Sequence, residues 1–426
     1  MKALILSCGG SYEPLQFCID DFKPDFIYFL CSEGSQTIVD DINKNNIKFK
    51  IKILKNHESL EDAFALSREI INELKKDYDE IHVDFTGGTK PMVSGLVLAA
   101  IGEKCTYSYV GTEKFEGRDK NGLGIVKNGF EHIKSQRDPY DVFAVMEFNK
   151  GIDFFNKYQF AASRVNFIQA SQKLESDNLN EIAKLFSKIV DIYDSWDKFN
   201  NKYNKKPIHT VFKEILKSIE FSNNLNEYFT ENHPDFLNQL KNNIEFLNIK
   251  GDAKIKNVKY YLPDLLNNAQ RRIKEGKYDD AVARLYRAIE LIAQVGLCNN
   301  RVIDEHSFKA FDEFQIKKSA LNGDAYYLAL EWYEFNKSTR TFKIPLKESY
   351  ELLEALGSEF AGEYLNDDNI KKDMLVRNKS ILAHGLNAID KKKAEDIYER
   401  VFQYSKKAFP DIVKYIKMSK FPKFND

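Results

Sequence analysis

Asp84-Phe85-Thr86-Gly87-Gly88-Thr89-Lys90-Pro91-Met92 is the stretch whose reading decides the fold. It closes a short apolar run, Ile81 to Phe85, and leads into Pro91 to Ile101, so it reads as strand, glycine turn, helix. The same figure opens the chain, where the run Met1 to Ser7 empties into Cys8-Gly9-Gly10-Ser11. Comparable runs at Phe26 to Leu30, Phe49 to Leu54 and Thr106 to Val110, with a helical stretch from Leu60 to Lys75, extend the alternation. Strands alternating with helices predict a mostly parallel, doubly wound sheet. Ligands of such sheets sit in the crevice at the carboxyl ends of the strands, where both glycine loops fall.

The two loops have the chemistry of an anion or nucleotide cradle. Gly9, Gly10, Gly87 and Gly88 allow backbone N–H groups to approach a phosphate or ribose, Ser11, Thr86 and Thr89 carry hydroxyls, and Lys90 adds a charge at a helix N-terminus. Neither loop is a Walker A loop or a dinucleotide fingerprint, because Gly-x-x-x-x-Gly-Lys-[Ser/Thr] and Gly-x-Gly-x-x-Gly are both absent from them. A plainer reading stands beside this one: the glycines only permit tight strand-to-helix turns.

Near the other end, residues 377 to 385 read Arg-Asn-Lys-Ser-Ile-Leu-Ala-His-Gly. On a helix of about 100° per residue, seven steps return to within about 20°, so Arg377 and His384 are expected on one face. Ile370, Met374, Arg377, Ile381 and His384 follow a four-three-four-three spacing, which predicts a packed seam interrupted by a guanidinium and an imidazole, with Gly385 as the cap. That pairing suits phosphodiester chemistry. Arg301 and His306 are a competing pair, but five helical steps would splay them about 140° apart.

From about Pro139 onward glycine turns give way to long Leu, Ile, Phe and Tyr periodicities, so this part is expected to be helical, with a boundary near Gly251 to Lys259. Lys157-Tyr158 to Arg164 and Lys277-Tyr278 to Arg284 echo each other as turns between antiparallel helices. Downstream of the second, Arg284, Arg287 and Glu290 lie on an amphipathic stretch, either reaching a catalytic groove or forming ordinary intrahelical ion pairs.

The length of 426 residues allows two or three domains, and 43 % hydrophobic content is ample for real cores. No run of eighteen apolar residues and no secretory leader is recognisable, so a cytoplasmic protein with no membrane partner is expected. The five cysteines form no Cys-x-x-Cys pair, which argues for free thiols and against a structural zinc site. A net charge of -1 excludes a global field for duplex nucleic acid, so any RNA is held locally. Lys371, Lys372, Lys379 and Lys391 to Lys393 supply either a small basic rim near Arg377 or an ordinary solvated face.

The Arg377-Asn378 pair with His384, six residues intervening, resembles the motif of HEPN ribonucleases, and the stretch from Asp84 to Met92 looks like the loop of CARF domains, the Rossmann-like sensors of cyclic oligoadenylates in type III CRISPR systems. Together they resemble the CARF and HEPN ancillary ribonucleases associated with Csm effector complexes. That resemblance implies an α/β Rossmann-like CARF domain over 1–135, a helical linker over 136–258 and an all-α HEPN domain over 259–426. It also implies a homodimer that cleaves single-stranded RNA without a metal or other cofactor, with cyclic oligoadenylate as activator. Arg377, Asn378 and His384 would be catalytic, and Gly9, Gly10, Ser11, Thr86, Gly87, Gly88, Thr89 and Lys90 would hold the activator. Ring size, base preference and degradation of the activator by the sensor stay open. The alternatives are a non-catalytic sensor whose helices recruit a partner, and a Rossmann enzyme acting on a small nucleotide with the helices only dimerising it.

Overall fold

The structure, a computed structural model, describes residues 1–44, 46–120, 123–251, 254–304, 315–332, 335–336, 341–378, 380–382 and 385–425. They form two compact units, one of residues 1–146 with 170–179 and one of 147–169 with 180–426.

In the first unit the elements run β1 (Lys2–Ser7), α1 (Glu13–Phe22), β2 (Phe26–Ser32), α2 (Ile38–Asp41), β3 (Lys48–Leu54), α3 (Leu60–Leu74), β4 (Glu80–Asp84), α4 (Lys90–Ala100) and β5 (Thr106–Gly111). A small hairpin, β6 (Arg118–Lys120) with β7 (Leu123–Val126), then leads to β8 (His132–Gln136) and the single turn α5 (Pro139–Val142). The sheet order is β3-β2-β1-β4-β5-β8, parallel except for β8. Ala3, Leu4, Ile5 and Leu6 are all fully buried because helices cover both faces of β1. One face packs on α1 and α2 through Leu15, Ile19 and Val39, the other on α3 and α4 through Ile70, Ile71 and Leu96. The open edge, β3, carries Lys48, Lys50 and Lys52, charges that blunt further strand pairing.

Ser59 caps α3 by accepting the Asp62 N–H at 3.1 Å, and Ala63, Ser67, Ile70, Ile71 and Leu74 make its buried stripe. Against that stripe α4 presents Gly95, where an added Cβ would stand 2.6 Å from the Ala63 Cβ and 2.7 Å from the Phe64 nitrogen. Gly95→Leu is therefore expected to force the helices apart and cost about 1–3 kcal/mol or more, measured as a lower urea midpoint for this unit; an unchanged midpoint would contradict the packing.

The second unit holds α6 (Val145–Asn156), α7 (Phe160–Lys173) and α8 (Asp177–Asp197) apart from the residues assigned to the first, then the short hairpin β9 (Lys202–Tyr203) with β10 (Lys206–Pro207). Next come α9 (Ile208–Phe221), α10 (Asn223–Asn232), α11 (Pro234–Lys250), α12 (Tyr261–Lys274) and α13 (Tyr278–Asn299). A small antiparallel sheet of β11 (Gln315–Lys317), β12 (Phe335–Asn336) and β13 (Thr341–Lys343) encloses α14 (Gly323–Trp332) in sequence. The last helices are α15 (Leu346–Ala355), α16 (Glu359–Asn366), α17 (Asp368–Asn378), α18 (Lys391–Ala408) and α19 (Ile412–Ser419). Buried on nearly every side, α13 is the axis of the main core, which also takes in Ile370, Val401 and Ile412.

Each echo segment starts at a turn between consecutive helices and runs into the second of them: Tyr158 takes a φ of 64° between α6 and α7, and Gly276, just before the second echo, one of 75° between α12 and α13. Past α19 the chain is strapped across the unit. Asn243 Nδ2 donates to the Met418 and Lys420 carbonyls at 2.7 and 2.9 Å, and Phe424 stacks on Phe236 at 4.3 Å between ring centres.

Candidate functional site

Between β1 and β4 the strand order reverses, because β1 leads through α1 to one side and β3 leads through α3 to the other. The loops after these two strands meet at that switch point. Ser7 Oγ donates to the Gly87 carbonyl at 2.5 Å. A Cβ on Gly9 would come within 2.8 Å of the Gly88 nitrogen, and one on Gly87 within 2.6 Å of the Ser7 oxygen. Gly9 and Gly87 are thus explained by backbone approach, and Gly88 by a φ of 97°.

Two of the three hydroxyls expected to face a ligand, those of Thr86 and Thr89, are already engaged. Thr86 Oγ1 accepts the Val110 N–H at 2.7 Å, while Thr89 Oγ1 donates to the His57 carbonyl at 2.5 Å and caps α4. Gly10, Gly88 and Lys90 are exposed, Ser11 is half-exposed, and Lys90 stands at the first turn of α4 with no ion pair among the described residues. An N-terminus of α4 with a lysine beside open glycines suits an anionic group.

Under the second loop lies a polar chain that the sequence reading missed. Ser108 Oγ donates to Asp84 Oδ2 at 2.6 Å, and Asp84 Oδ1 accepts the Thr86 N–H at 3.0 Å. His82 lies 2.8 Å from Ser108 Oγ through Nε2 and 2.7 Å from Thr106 Oγ1 through Nδ1. With the Ser108 hydrogen spent on Asp84, Nε2 carries the imidazole proton and Nδ1 accepts from Thr106. Burial pushes the Asp84 carboxyl up and the His82 imidazole down to about 4. The available signal was the alternation of polar residues, His82 and Asp84 on one strand against Thr106 and Ser108 on the next.

In the second unit the expected long helix stops short. α17 ends at Asn378, the Ser380 N–H turns back to the Arg377 carbonyl at 3.1 Å, and Ser380 bridges to Asn387. Ile381 is accordingly 64 % exposed and lies off the buried seam, whereas Ile370 is fully buried. His384, the competing His306 and the side chain of Asn378 lie outside the described residues.

Arg377 is placed by two neighbouring helices. Its guanidinium carbon stands 4.8 Å from the centre of the Tyr286 ring on α13, a cation–π contact. One turn earlier on α17, the buried Asp373 receives Lys393 Nζ at 2.6 Å and Arg400 Nε at 2.9 Å, tying α17 to α18. Lys393 is therefore a structural partner rather than part of a free basic rim. Arg284 pairs with Asp280 at 3.1 Å, the ordinary intrahelical reading. Arg287 reaches Glu290 at 3.3 Å, and Glu290, its carboxyl raised by burial and lowered by Arg287 and Arg377, belongs to the surroundings of the candidate arginine. Among the described residues no three His, Cys, Asp or Glu side chains gather as a metal-ligand set, and no helix is long and apolar enough to cross a membrane.

Residues 250–408 match the family model described as the Csm6 HEPN domain. Csm6 from Enterococcus italicus, solved bound to cyclic hexa-2'-fluoro-hexa-dAMP, is 14 % identical over 99 % of this chain and 98 % of that one, with a TM-score of 0.49. Can2 from Sulfobacillus thermosulfidooxidans, solved with cyclic tetra-adenylate, is 10 % identical over 48 % of this chain and 69 % of its own, with a TM-score of 0.24. Among curated proteins, Midasin from Dictyostelium discoideum is 24 % identical over 212 residues, half of this chain; the chain spans 3 % of its length.

Proposed function

We propose that the chain, whose residues 250–408 match the Csm6 HEPN family model, is a cyclic oligoadenylate-activated, metal-independent endoribonuclease of type III CRISPR defence, acting on single-stranded RNA. The observation that carries this reading is the presence of Arg377, Asn378 and His384 inside the matched segment, with the Arg377 guanidinium held over Tyr286 at a helix end. We keep the three-part division into 1–135, 136–258 and 259–426 as part of the proposal.

An imidazole with a pKa near its ordinary value of about 6.5 serves as general base for the ribose 2'-hydroxyl or as general acid for the leaving 5'-oxygen. One histidine does not easily do both, so a twofold dimer supplies the second His384. Arg377 binds the phosphorane oxygens through its forked donors, and Asn378 orients the groups. The 2'-oxygen displaces the 5'-oxygen at phosphorus, leaving a 2',3'-cyclic phosphate and a 5'-hydroxyl. The exposed Ile381, Leu382 and Leu386 beside this segment supply apolar surface for a seam between two copies.

For the sensor, the reading rests on the two glycine loops meeting at the switch point with Lys90 and the α4 N-terminus beside them. A ring of repeated phosphates matches two copies of one loop related by a twofold. Lys90→Ala is expected to raise the activator concentration needed for half-maximal RNA cleavage by about tenfold, with little change in the fully activated rate. Titration of a fluorogenic RNA assay with each ring size checks this, and calorimetry should give one ring per two chains. An unshifted activation curve, or one ring per chain, counts against the proposed sensor.

A further inference from the structure

A cleft of about 1280 Å³ opens beside Arg377, lined among others by Tyr286 and Glu290 of α13, Tyr364 of α16 and Lys371, Met374 and Leu375 of α17. α17 thus contributes to this cleft and carries Arg377 at its last turn. We propose that this cleft is a nucleobase subsite, that Glu290 recognises guanine in it, and that Tyr286 supplies the stacking surface; the assignment rests on the ribonuclease reading of the same helix end.

The chemistry of the lining decides the ligand. A phosphate is disfavoured inside, because Asp324, Glu348, Glu351 and Glu354 add negative charge to that of Glu290, against Lys347 and Lys371 among the described lining residues. A base is neutral and offers ring faces and N–H donors. Tyr286 is half-buried and carries the Arg377 guanidinium against its ring, so a base beside it would leave its own phosphate within reach of that arginine. Tyr364 is already stacked on Tyr350 at 3.6 Å, which makes it a fixed wall rather than a mobile stacking partner.

Glu290 is half-buried, its ion pair among the described residues is the long 3.3 Å contact with Arg287, and its oxygens only accept hydrogen bonds when ionised. Guanine alone presents two adjacent donors on one edge, N1–H and N2–H2, and so takes a carboxylate through two bonds. Adenine, cytosine and uracil offer that edge a single donor site each.

The test needs no cleavage. Short oligouridylates, 2'-O-methylated throughout and carrying one central guanine or one central adenine, are titrated against the full chain by fluorescence anisotropy. Guanine should tighten binding about tenfold or more over adenine, the discrimination of a good bidentate base contact. Glu290→Gln, whose amide presents one donor and one acceptor, should abolish that preference and favour adenine, while an unchanged melting temperature shows that the fold is kept. Tyr286→Ala should weaken both oligonucleotides together. Equal affinities in the unmodified protein, or a guanine preference that survives Glu290→Gln, would overturn the subsite. A lysine-rich peptide that binds in a Glu290-dependent way while the bases are not distinguished would also overturn it, assigning the cleft to a basic segment. Since the oligonucleotides cannot be cut, failure to cleave ordinary RNA would sink the ribonuclease reading and leave this result standing.

Discussion

Arg377→Ala is expected to lower RNA cleavage by a factor on the order of a hundred or more while the fold persists, and His384→Ala by a similar factor. Arg377 lies at the end of α17, so its removal leaves intact the Asp373 pairs to Lys393 and Arg400 that hold that helix. What disappears is a forked donor set for charge that develops at phosphorus, an interaction made most strongly in the transition state. The effect should therefore fall on kcat rather than on RNA affinity, and single-turnover cleavage alongside binding separates the two. Melting curves matching those of the unmodified protein keep the comparison clean. If His306→Ala abolishes cleavage and His384→Ala does not, the pair has been assigned to the wrong segment.

Asp264→Ala should be the most damaging change to the second unit. Asp264 and Lys250 are each 1 % exposed at their side chains and 2.5 Å apart, and Asp264 also accepts the Trp196 Nε1–H at 3.0 Å. Lys250 stands 4.5 Å from the centre of the Tyr261 ring, so its charge has no route to water when the carboxylate is gone. Stranding one partner of a buried pair costs about 3–5 kcal/mol. For a unit of this size that is a fall in melting temperature of roughly 6–20 °C. The double substitution Lys250→Met with Asp264→Leu should recover much of the loss, because it removes both charges together. A single variant that melts like the parent would show that the pair is hydrated and not closed.

The parallel sheet was legible because each of its strands announces itself locally. Phe26 to Leu30 and Ile81 to Phe85 are short apolar runs, both loops carry paired glycines, and the strands found, Phe26–Ser32 and Glu80–Asp84, differ only at their ends. β8 was not legible: His132–Gln136 is polar and exposed, an edge strand whose pairing with β5 is a tertiary fact. At the loops, residue types marked where the two glycine turns meet, but not the work that their threonines do there. Thr86 and Thr89 hold the backbone, and the buried chain from Asp84 through Ser108 to His82 spans two strands that no local spacing joins. In the second unit the seam through Ile370 was readable from its period, but the period ran on past Asn378, where the helix ends and Ser380 pairs instead with Asn387. Tyr286 as the neighbour of Arg377 comes from α13, far away in sequence, and only packing brings them together.

The central claim is that a ligand at the switch-point loops turns on RNA cleavage at Arg377. A ligand shifts an equilibrium only through its difference in affinity between two states, so the claim demands an activity that depends on the ring. The direct measurement is cleavage of a fluorogenic single-stranded RNA by the unmodified protein, in a metal chelator, with and without each cyclic oligoadenylate. The account predicts that one ring size raises the rate at least tenfold, that the chelator changes nothing, and that the products end in a 2',3'-cyclic phosphate and a 5'-hydroxyl. A rate that is the same with and without every ring, or cleavage only when a divalent ion is restored, would contradict it.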